Sequence, residues 1–287
     1  MILKNSSLDQ LIIRKPITIS PDTTLLESRD ILLRHRIRRL IVADTKNTPV
    51  GMVTEKDIAK AIFTSNHKDI QKITASEFMA KNLATTTHDD SIYDCAKIMK
   101  NRGISSVIII KKDGTLDGIV TKTDLASVFL TKATGSLPIS KIMTRKVITV
   151  MPNDSLLFAE SLLLKYKIAR IVVQRNRIPV GIITLRDFVP VKIPRWIADS
   201  ADPKELDEYR QKAYHSEFQQ KQQSYLLPFK AVDIMSPNPI TIESSQDVSA
   251  AVLLMIRHDI SGIPVVKRSK LVGIITKSDV VRVIAEH

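Results

Sequence analysis

The chain has 287 residues, enough for about two domains, and its hydrophobic fraction of 44% and charged fraction of 25% are ordinary for a globular protein. No apolar run approaches the roughly 18 residues of a membrane span, and the first ten residues lack the pattern of a signal peptide. Cys95 is the single cysteine, which excludes an internal disulfide and a thiolate-rich metal site. The formal charge of +13 suits an anionic partner or, equally, plain solubility. We expect a cytoplasmic protein without a metal centre or a membrane partner.

Four copies of one pattern account for most of the chain. In each copy a short stretch of β-branched residues contains a threonine, and a motif of glycine, two apolar residues and Thr-x-x-Asp follows. The threonine precedes the motif glycine by 33, 33, 32 and 32 residues, a constancy that chance does not produce. The motifs are GMVTEKD (51–57), GIVTKTD (118–124), GIITLRD (181–187) and GIITKSD (273–279).

The predicted elements follow in the same order within each copy. A short apolar segment comes first, then the strand with the threonine, a polar helix start such as 90–91 or 244–245, and apolar residues at helical spacing, as along 156–163. Two further strands follow, the second of which ends in the motif, and the motif aspartate lies in the first turn of a closing helix. Each copy is thus predicted to be a β-α-β-β-α unit of an α/β fold. The leading apolar segments are Leu11-Ile12, Phe78-Met79, Ile142-Met143 and Ile234-Met235.

Units of this size bury too little surface to be stable alone, so we expect them to pair. Numbered along the chain, units 1 and 2 would form module 1, and units 3 and 4 would form module 2. The units are predicted at 8–63, 75–130, 137–191 and 231–287. The polar insertion 192–230, between units 3 and 4, is predicted to be a surface helix or arm.

The Thr-x-x-Asp part of the motif fits two roles equally well. As a capping box, the threonine and the aspartate would satisfy free amide groups at the start of the closing helix. As a ligand site, the helix start offers N–H groups and partial positive charge to a phosphate. The hydroxyl could donate to that phosphate, and the carboxylate could accept both hydrogens of a cis-diol. The motif by itself does not distinguish the two.

The strand with its threonine, the apolar strand and the G-h-h-T-x-x-D motif resemble the CBS domain (cystathionine beta-synthase motif). Four copies would make two Bateman modules with pseudo-twofold symmetry, an arrangement similar to the gamma subunit of AMP-activated protein kinase and to stand-alone archaeal and bacterial proteins of its kind. The resemblance implies a non-catalytic regulatory protein. Its ligand would be AMP, ADP, ATP, S-adenosylmethionine or a dinucleoside polyphosphate, bound in the cleft between paired units. Mg²⁺ would serve only as a counterion to the phosphates.

The resemblance also implies which residues bind the nucleotide. The motif aspartate would accept the ribose hydroxyls, the motif threonine would face the phosphate, and the strand with the threonine would surround the adenine. Basic residues before the second strand, together with the residue before the motif aspartate, would contact phosphate; unit 4 has no such basic residue and could only take one from another unit. The predicted nucleotide-binding residues are Thr18, Arg38, Arg39, Thr54, Asp57, Thr85, Thr121, Thr123, Asp124, Thr149, Arg170, Thr184, Arg186, Asp187, Thr241, Thr276, Ser278 and Asp279.

Two other function classes fit the sequence less well. A nucleic-acid (RNA) binding protein could use the basic surface of the same scaffold, and its affinity would then fall steeply with salt. Only 5% of the residues are aromatic, so platforms for stacking single-stranded bases are sparse. A purely structural tether is the third class. The regulated protein is not identified by the sequence, and a homodimer is compatible with it.

Overall fold

The computed structural model describes residues 6–64, 72–132, 137–184, 187 and 229–286. Most of the predicted insertion at 192–230, and the predicted site residue Arg186, lie outside the described residues. Within them, the predicted α/β fold is confirmed: units 1, 2 and 4 show the β-α-β-β-α order, and unit 3 shows β-α-β-β up to Thr184, with its predicted closing helix outside the described residues. No described helix is long and apolar enough to cross a membrane.

Module 1 consists of the elements that precede residue 133. A short 3₁₀ turn at Asp9–Leu11 opens it. Its elements are, in chain order, β1 (Ile13–Arg14), β2 (Thr18–Ile19), α1 (Leu25–Arg34), β3 (Arg39–Ala43), β4 (Pro49–Thr54), α2 (Glu55–Thr64), α3 (Ala75–Phe78), β5 (Thr85–Thr86), α4 (Ile92–Arg102), β6 (Ser106–Ile110), β7 (Leu116–Thr121) and α5 (Lys122–Lys132).

Module 2 has a similar order, except that the predicted closing helix of unit 3 lies outside the described residues. Its elements are α6 (Ile139–Ile142), β8 (Thr149–Val150), α7 (Leu156–Lys165), β9 (Arg170–Arg175), β10 (Ile178–Thr184), α8 (Ala231–Ile234), β11 (Ser236–Pro237), β12 (Ile242–Glu243), α9 (Val248–Arg257), β13 (Gly262–Lys267), β14 (Lys270–Thr276) and α10 (Lys277–Glu286).

The sheets share one topology. In each unit the short first strand runs parallel to the second, which forms an antiparallel hairpin with the third: β2-β3-β4, β5-β6-β7, β8-β9-β10 and β12-β13-β14. The second strands are β-branched runs whose central residues are buried, as sheet packing on both faces requires. In units 1, 2 and 4 the third strand runs directly into the closing helix, so the motif lies where strand becomes helix.

Polar side chains begin the first helix of each unit. Thr24 and Glu27 form a reciprocal capping box at α1, and Ser91 caps α4 as predicted. In unit 4 the predicted cap at 244–245 is wrong, because the cap is Asp247. Its carboxylate accepts from Ser249 N (2.8 Å) and also from Leu137 N (2.6 Å), so the leading segment of unit 3 holds this helix start.

The leading segments are exchanged within each module. Strand β1, which opens unit 1, pairs with β7 of unit 2, and β11, which opens unit 4, pairs with β10 of unit 3. The leading segments of units 2 and 3 do the same through the bridges Met52↔Ala80 and Thr144↔Ile274. Each unit therefore completes the sheet of its partner, which fixes how the two units of a module face each other.

The two modules are joined through units 2 and 4. Helices α4 and α5 pack against α9 and α10, and their apolar faces form one buried core that includes Leu125, Phe129, Val281 and Ile284. Units 1 and 3 have separate cores of their own. The motifs of units 2 and 4 consequently lie close to each other at the junction of the modules.

Candidate functional site

All four motifs form the same capping arrangement. One carboxylate oxygen of the motif aspartate accepts from both the backbone N–H and the hydroxyl of the motif threonine. In unit 2, for example, Asp124 Oδ2 lies 2.7 Å from Thr121 N and 2.7 Å from Thr121 Oγ1. The same pairs occur as Thr54–Asp57, Thr184–Asp187 and Thr276–Asp279. In units 1, 2 and 4, whose closing helices the structure describes, the motif is therefore a capping element, and this role leaves the second carboxylate oxygen to other partners.

The second oxygen distinguishes unit 4 from unit 2. Asp279 is only 3% exposed, and its Oδ1 accepts from Arg282 Nη2 at 2.9 Å and, more weakly, from Thr144 Oγ1 at 3.4 Å. In unit 2 the residue equivalent to Arg282 is Ser127, whose hydroxyl donates to the Thr123 carbonyl instead. Among the residues that the structure describes, no donor is recorded for Oδ1 of Asp124. That oxygen is available to a ligand with both lone pairs.

Two arginines cross from one unit of a module to the other. Arg39 begins β3 of unit 1, and its Nη1 donates to the Ser105 carbonyl of unit 2 at 2.8 Å. Its charge also interacts with Asp124. In each module, an arginine of the first unit thus reaches the motif of the second unit.

Arg170 occupies the equivalent place in module 2. It begins β9 of unit 3, donates to the Ser261 hydroxyl of unit 4 and interacts electrostatically with Asp279. Gly262 makes room for this arginine, because a β-carbon at position 262 would overlap the guanidinium group of Arg170. Nη1 of Arg170 is buried without a hydrogen-bond partner among the described residues.

Two lysines cross between the modules in a reciprocal pair. Lys122 Nζ of unit 2 donates to Ser278 Oγ of unit 4 at 2.8 Å, and Lys277 Nζ of unit 4 donates to Thr123 Oγ1 of unit 2 at 3.0 Å. Lys277 is only 4% exposed, which is rare for a lysine. Thr123 and Ser278, whose hydroxyls are predicted to bind phosphate, therefore each accept a hydrogen bond from a lysine of the other module.

These side chains form what we call the central basic cluster: Arg38, Arg39, Lys122, Arg170 and Lys277. Burial, and after it the nearby charge of Arg38, lowers the pKa of Arg39 and of Arg170 to about 10. Burial is also the main reason why the pKa values of Lys122 and Lys277 are lowered, followed by the charges of neighbouring arginines.

Few carboxylates offset this charge. Arg38 pairs with the exposed Asp259 of unit 4, with 3.2 Å between Nη2 and Oδ2. Asp124 and Asp279 are each partly committed to a helix cap. A cluster of cations that mutually lower their pKa values is a favourable place for an anion, because an anion would relieve both the repulsion and the cost of burial.

The other predicted residues have different relations to this cluster. Thr18, Thr85 and Thr241 are exposed at the first strands of their units. Thr54 and Thr184 lie opposite Arg39 and Arg170 in the hairpins of units 1 and 3. The residues equivalent to these two arginines in units 2 and 4 are Ser106 and Gly262. These positions therefore supply no arginine to the motifs of units 1 and 3.

Thr149 lines a cavity of about 210 Å³ between units 3 and 4. Besides Val147, the lining includes the side chains of Gln174, Arg145 and Arg177 from unit 3, and it is closed by Leu271 and Val272 of unit 4. Thr144, next to Arg145, contacts Asp279, so this cavity adjoins the motif of unit 4.

Sequence reasoning missed Lys122, Lys277 and the cavity residues Gln174, Arg145 and Arg177. A signal for the lysines is present: units 2 and 4, and only these, have lysine directly after the motif threonine and a hydroxyl residue before the aspartate. The described residues contain no group of three or more histidine, cysteine, aspartate or glutamate side chains that could hold a metal ion.

Known proteins resemble this chain in its repeated unit and in its fold. The family model described as the CBS domain matches residues 8–64, 75–131, 139–191 and 231–286. A relative from Methanocaldococcus jannaschii, the uncharacterized protein MJ1404, is 27% identical over 99% of this chain, which spans 63% of that relative's length.

Two solved structures share the fold over 97% of this chain. The first is protein MJ1225 of Methanocaldococcus jannaschii, described as a candidate archaeal homologue of γ-AMPK, with a TM-score of 0.80, 21% identity and full coverage of that chain. The second is an uncharacterized conserved protein from Pyrococcus horikoshii, with a TM-score of 0.65, 18% identity and 99% coverage. At these identities the likeness concerns the fold alone.

Proposed function

The chain belongs to the CBS domain family, and on this premise we propose that it is a non-catalytic regulatory protein that binds adenine nucleotides at the motifs of units 2 and 4. The ligand class is AMP, ADP, ATP or a dinucleoside polyphosphate. A regulated partner protein would respond to the change in arrangement that the ligand causes.

One observation carries the proposal: each of these two motifs is supplied with cations by two other units. Unit 2 offers Asp124 and Thr123, unit 1 adds Arg39, and Lys277 comes from unit 4. Unit 4 offers Asp279 and Ser278, with Arg170 and Lys122 in the equivalent roles. A capping box kept only for helix stability needs none of these cations.

The side chains match the parts of a nucleotide. The free oxygen of Asp124 can accept from the 2′- and 3′-hydroxyls of a ribose. The first turn of α5 presents backbone N–H groups and partial positive charge to a phosphate, and the Thr123 hydroxyl lies in the same turn. Arg39 and Lys277 would then neutralise the phosphate. In unit 4, Asp279 Oδ1 already accepts a hydrogen bond from Arg282, and a ligand could replace only the long contact from Thr144. We therefore propose that the unit 2 site binds nucleotide more tightly than the unit 4 site.

The position of the cluster favours a phosphate chain shared between modules. Lys122 and Lys277 each reach the hydroxyl of the opposite module, so the phosphate positions of the two sites meet at the junction. A dinucleoside polyphosphate would place one adenosine in each module and its phosphates among the five cations. Such a ligand would link modules 1 and 2, rather than the two sites of one module.

Regulation follows if the ligand has different affinities for two arrangements of the modules. Without an anion, five partly buried cations oppose close approach of units 2 and 4, while the shared apolar core favours it. A bound phosphate removes the repulsion and would therefore favour the closed junction. A partner protein that contacts both modules could sense this difference.

The proposal is tested by isothermal titration of the purified full chain with AMP, ADP, ATP and diadenosine polyphosphates. We expect binding in the micromolar range or tighter, and a loss of about tenfold to a hundredfold at the unit 2 site on Arg39→Ala, which removes a charge-assisted hydrogen-bond donor. Arg29→Ala is the matched control, since Arg29 forms an ion pair with Asp30 of the same helix. Absence of binding to all these nucleotides would reject the proposal.

A further inference from the structure

The cavity between units 3 and 4 contains a buried polar atom without a partner. Gln174 Nε2 donates to Thr149 Oγ1 at 3.3 Å, whereas Gln174 Oε1 is buried and has no hydrogen-bond partner among the described residues. A buried amide oxygen left unpaired is unfavourable by an amount comparable to a lost hydrogen bond. Exchanging the positions of Oε1 and Nε2 would leave Nε2 unpaired instead, since Thr149 can form a hydrogen bond with only one of these two atoms. The cavity is therefore polar at this point and requires a partner that the described chain does not supply.

Gln174 is peculiar to unit 3. The registers of the four sheets place Ala43, Ile110 and Val266 at the equivalent positions of units 1, 2 and 4. Ile110 packs into the apolar contact between the sheets of module 1. A side chain needed only to fill the space between sheets would be apolar here as well, so the polar amide calls for another explanation.

Two guanidinium groups flank the cavity without carboxylate partners among the described residues. Arg145 donates to the Ser140 carbonyl, whereas its equivalent in unit 1, Arg14, is held by the carboxylates of Asp9 and Asp117. Arg177 lies at the second position of a two-residue hairpin turn with a φ of 64°, where glycine is favoured. Flat cations of this kind are suited to stacking on nucleobases.

The cavity also lies at the correct distance from the phosphate position. Arg170 and Gln174 are four residues apart on one face of β9, which corresponds to about 13 Å along the strand. Thr144 contacts Asp279 and is followed in the chain by Arg145 of the cavity wall, so the ribose position proposed at Asp279 adjoins the cavity. A volume of about 210 Å³ is sufficient for a nucleobase.

We infer that Gln174 is a specificity-determining residue that reads the base of the nucleotide bound at the unit 4 motif, with its Oε1 accepting a hydrogen bond from an exocyclic amino group such as that of adenine. This inference rests on the proposed function. It assigns base recognition in module 2 to one side chain, and it sets that site apart from the unit 2 site, where Ala43 stands in the equivalent place.

The experiment compares AMP with purine riboside 5′-monophosphate, which lacks only the 6-amino group. In the wild-type full chain, AMP should bind about three- to tenfold more tightly than the analogue at one site per chain, the preference that one hydrogen bond provides. Gln174→Met should abolish this preference by weakening AMP binding while leaving the affinity of the analogue unchanged. Gln174→Glu, which keeps the acceptor oxygen, should retain the preference. Ile110→Met, at the equivalent position of unit 2, should leave the ratio of the affinities for AMP and for the analogue unchanged.

The outcomes separate the two proposals. If the wild-type chain binds neither ligand, the proposed function fails. If it binds both but Gln174→Met, folded as judged by thermal unfolding, keeps the AMP preference, the inference about Gln174 is overturned and the proposed function stands. Should Gln174→Met not fold, loss of the preference in the Gln174→Glu chain would equally overturn it.

Discussion

Gly51 of unit 1 lies directly against the side chain of Met79 from unit 2. A β-carbon on Gly51 would lie 2.7 Å from Met79 Cγ and would overlap the sulfur atom. The adjacent backbones of Met52 and Ala80 exchange two hydrogen bonds of 2.9 and 3.0 Å. The motif glycine therefore makes room for the leading segment of the partner unit, and the other units repeat this contact as Gly118–Ile12, Gly181–Met235 and Gly273–Met143.

This contact predicts that Gly51→Ala lowers the free energy of unfolding by about 1–3 kcal/mol, the usual range for overpacking. In a Met79→Ala background the same substitution should be much less destabilising, because all three of the nearest atoms belong to Met79. Urea unfolding of the four chains of this double-mutant cycle measures the coupling. Gly118→Ala is the contrast: its β-carbon would also meet the Ile13 carbonyl at 2.8 Å, so Ile12→Ala should rescue it only in part. Additive effects of Gly51→Ala and Met79→Ala on the free energy of unfolding would contradict a direct contact between the two residues.

The order of elements could be predicted because it depends on local patterns. Runs of β-branched residues, polar helix starts and the constant spacing of the repeats are all readable in a single unit. The exchange of leading segments could not be predicted, since strands of two residues such as β1 and β11 have no periodicity and their partners are distant in the chain. The motif glycine and the leading methionine are each evident in the sequence, but only the packed module shows that they are in contact.

The candidate site divides in the same way. Asp124 and Asp279 are evident from the motif, whereas the destination of Arg39 depends on how two sheets face each other. A side chain at the start of β3 could have served its own unit, and the structure directs it to unit 2. Lys122 and Lys277 are harder still, because their partners lie in the opposite module and come into reach only through the helix packing of units 2 and 4.

The two roles of the motif aspartate can be separated by comparing units 1 and 2. Asp57→Ala and Asp124→Ala each remove a carboxylate that caps a closing helix, so each should lower the free energy of unfolding by about 0.5–2 kcal/mol. Only Asp124→Ala should also weaken AMP binding, because only Asp124 is accompanied by an arginine from the partner unit. Thermal unfolding and isothermal titration on the same preparations test this. Equal losses of AMP affinity in both variants would show that unit 1 binds nucleotide as well.

The pH dependence of binding should reveal the buried arginines. Because burial lowers the pKa of Arg39 and Arg170 to about 10, these groups lose their charge at a pH where exposed arginines keep it. AMP affinity should therefore fall as pH rises towards and through 10, where Lys122 and Lys277, whose pKa values are also lowered, lose charge as well, while adenosine, which lacks the phosphate, should show no such fall. If both ligands lose affinity in parallel, the effect belongs to unfolding or to the ribose and base contacts.

The same pKa shifts affect stability in the opposite direction. A cation whose pKa is lower in the folded chain favours the unfolded state while it is charged in both states, so this penalty decreases as pH rises through about 10 towards the ordinary pKa of arginine. Arg170→Met removes the charge at every pH. The difference in unfolding free energy between Arg170→Met and the wild type should therefore shift in favour of the wild type between pH 9 and 11.

The reciprocal lysines should matter more for long phosphate chains than for short ones. In the double variant Lys122→Met/Lys277→Met the two hydrogen bonds to Ser278 and Thr123 are lost, but so is the repulsion from Arg39 and Arg170, and we expect the unfolding free energy to change by less than about 1 kcal/mol. The affinity for AMP, whose single phosphate can still use an arginine, should fall less than that for ATP or a diadenosine polyphosphate. Lys111→Met/Lys267→Met changes the net charge equally at exposed positions and is the matched control. An equal loss for AMP and the polyphosphates would place the phosphate chain away from the junction of the two modules, and the lysines would then serve only to join units 2 and 4.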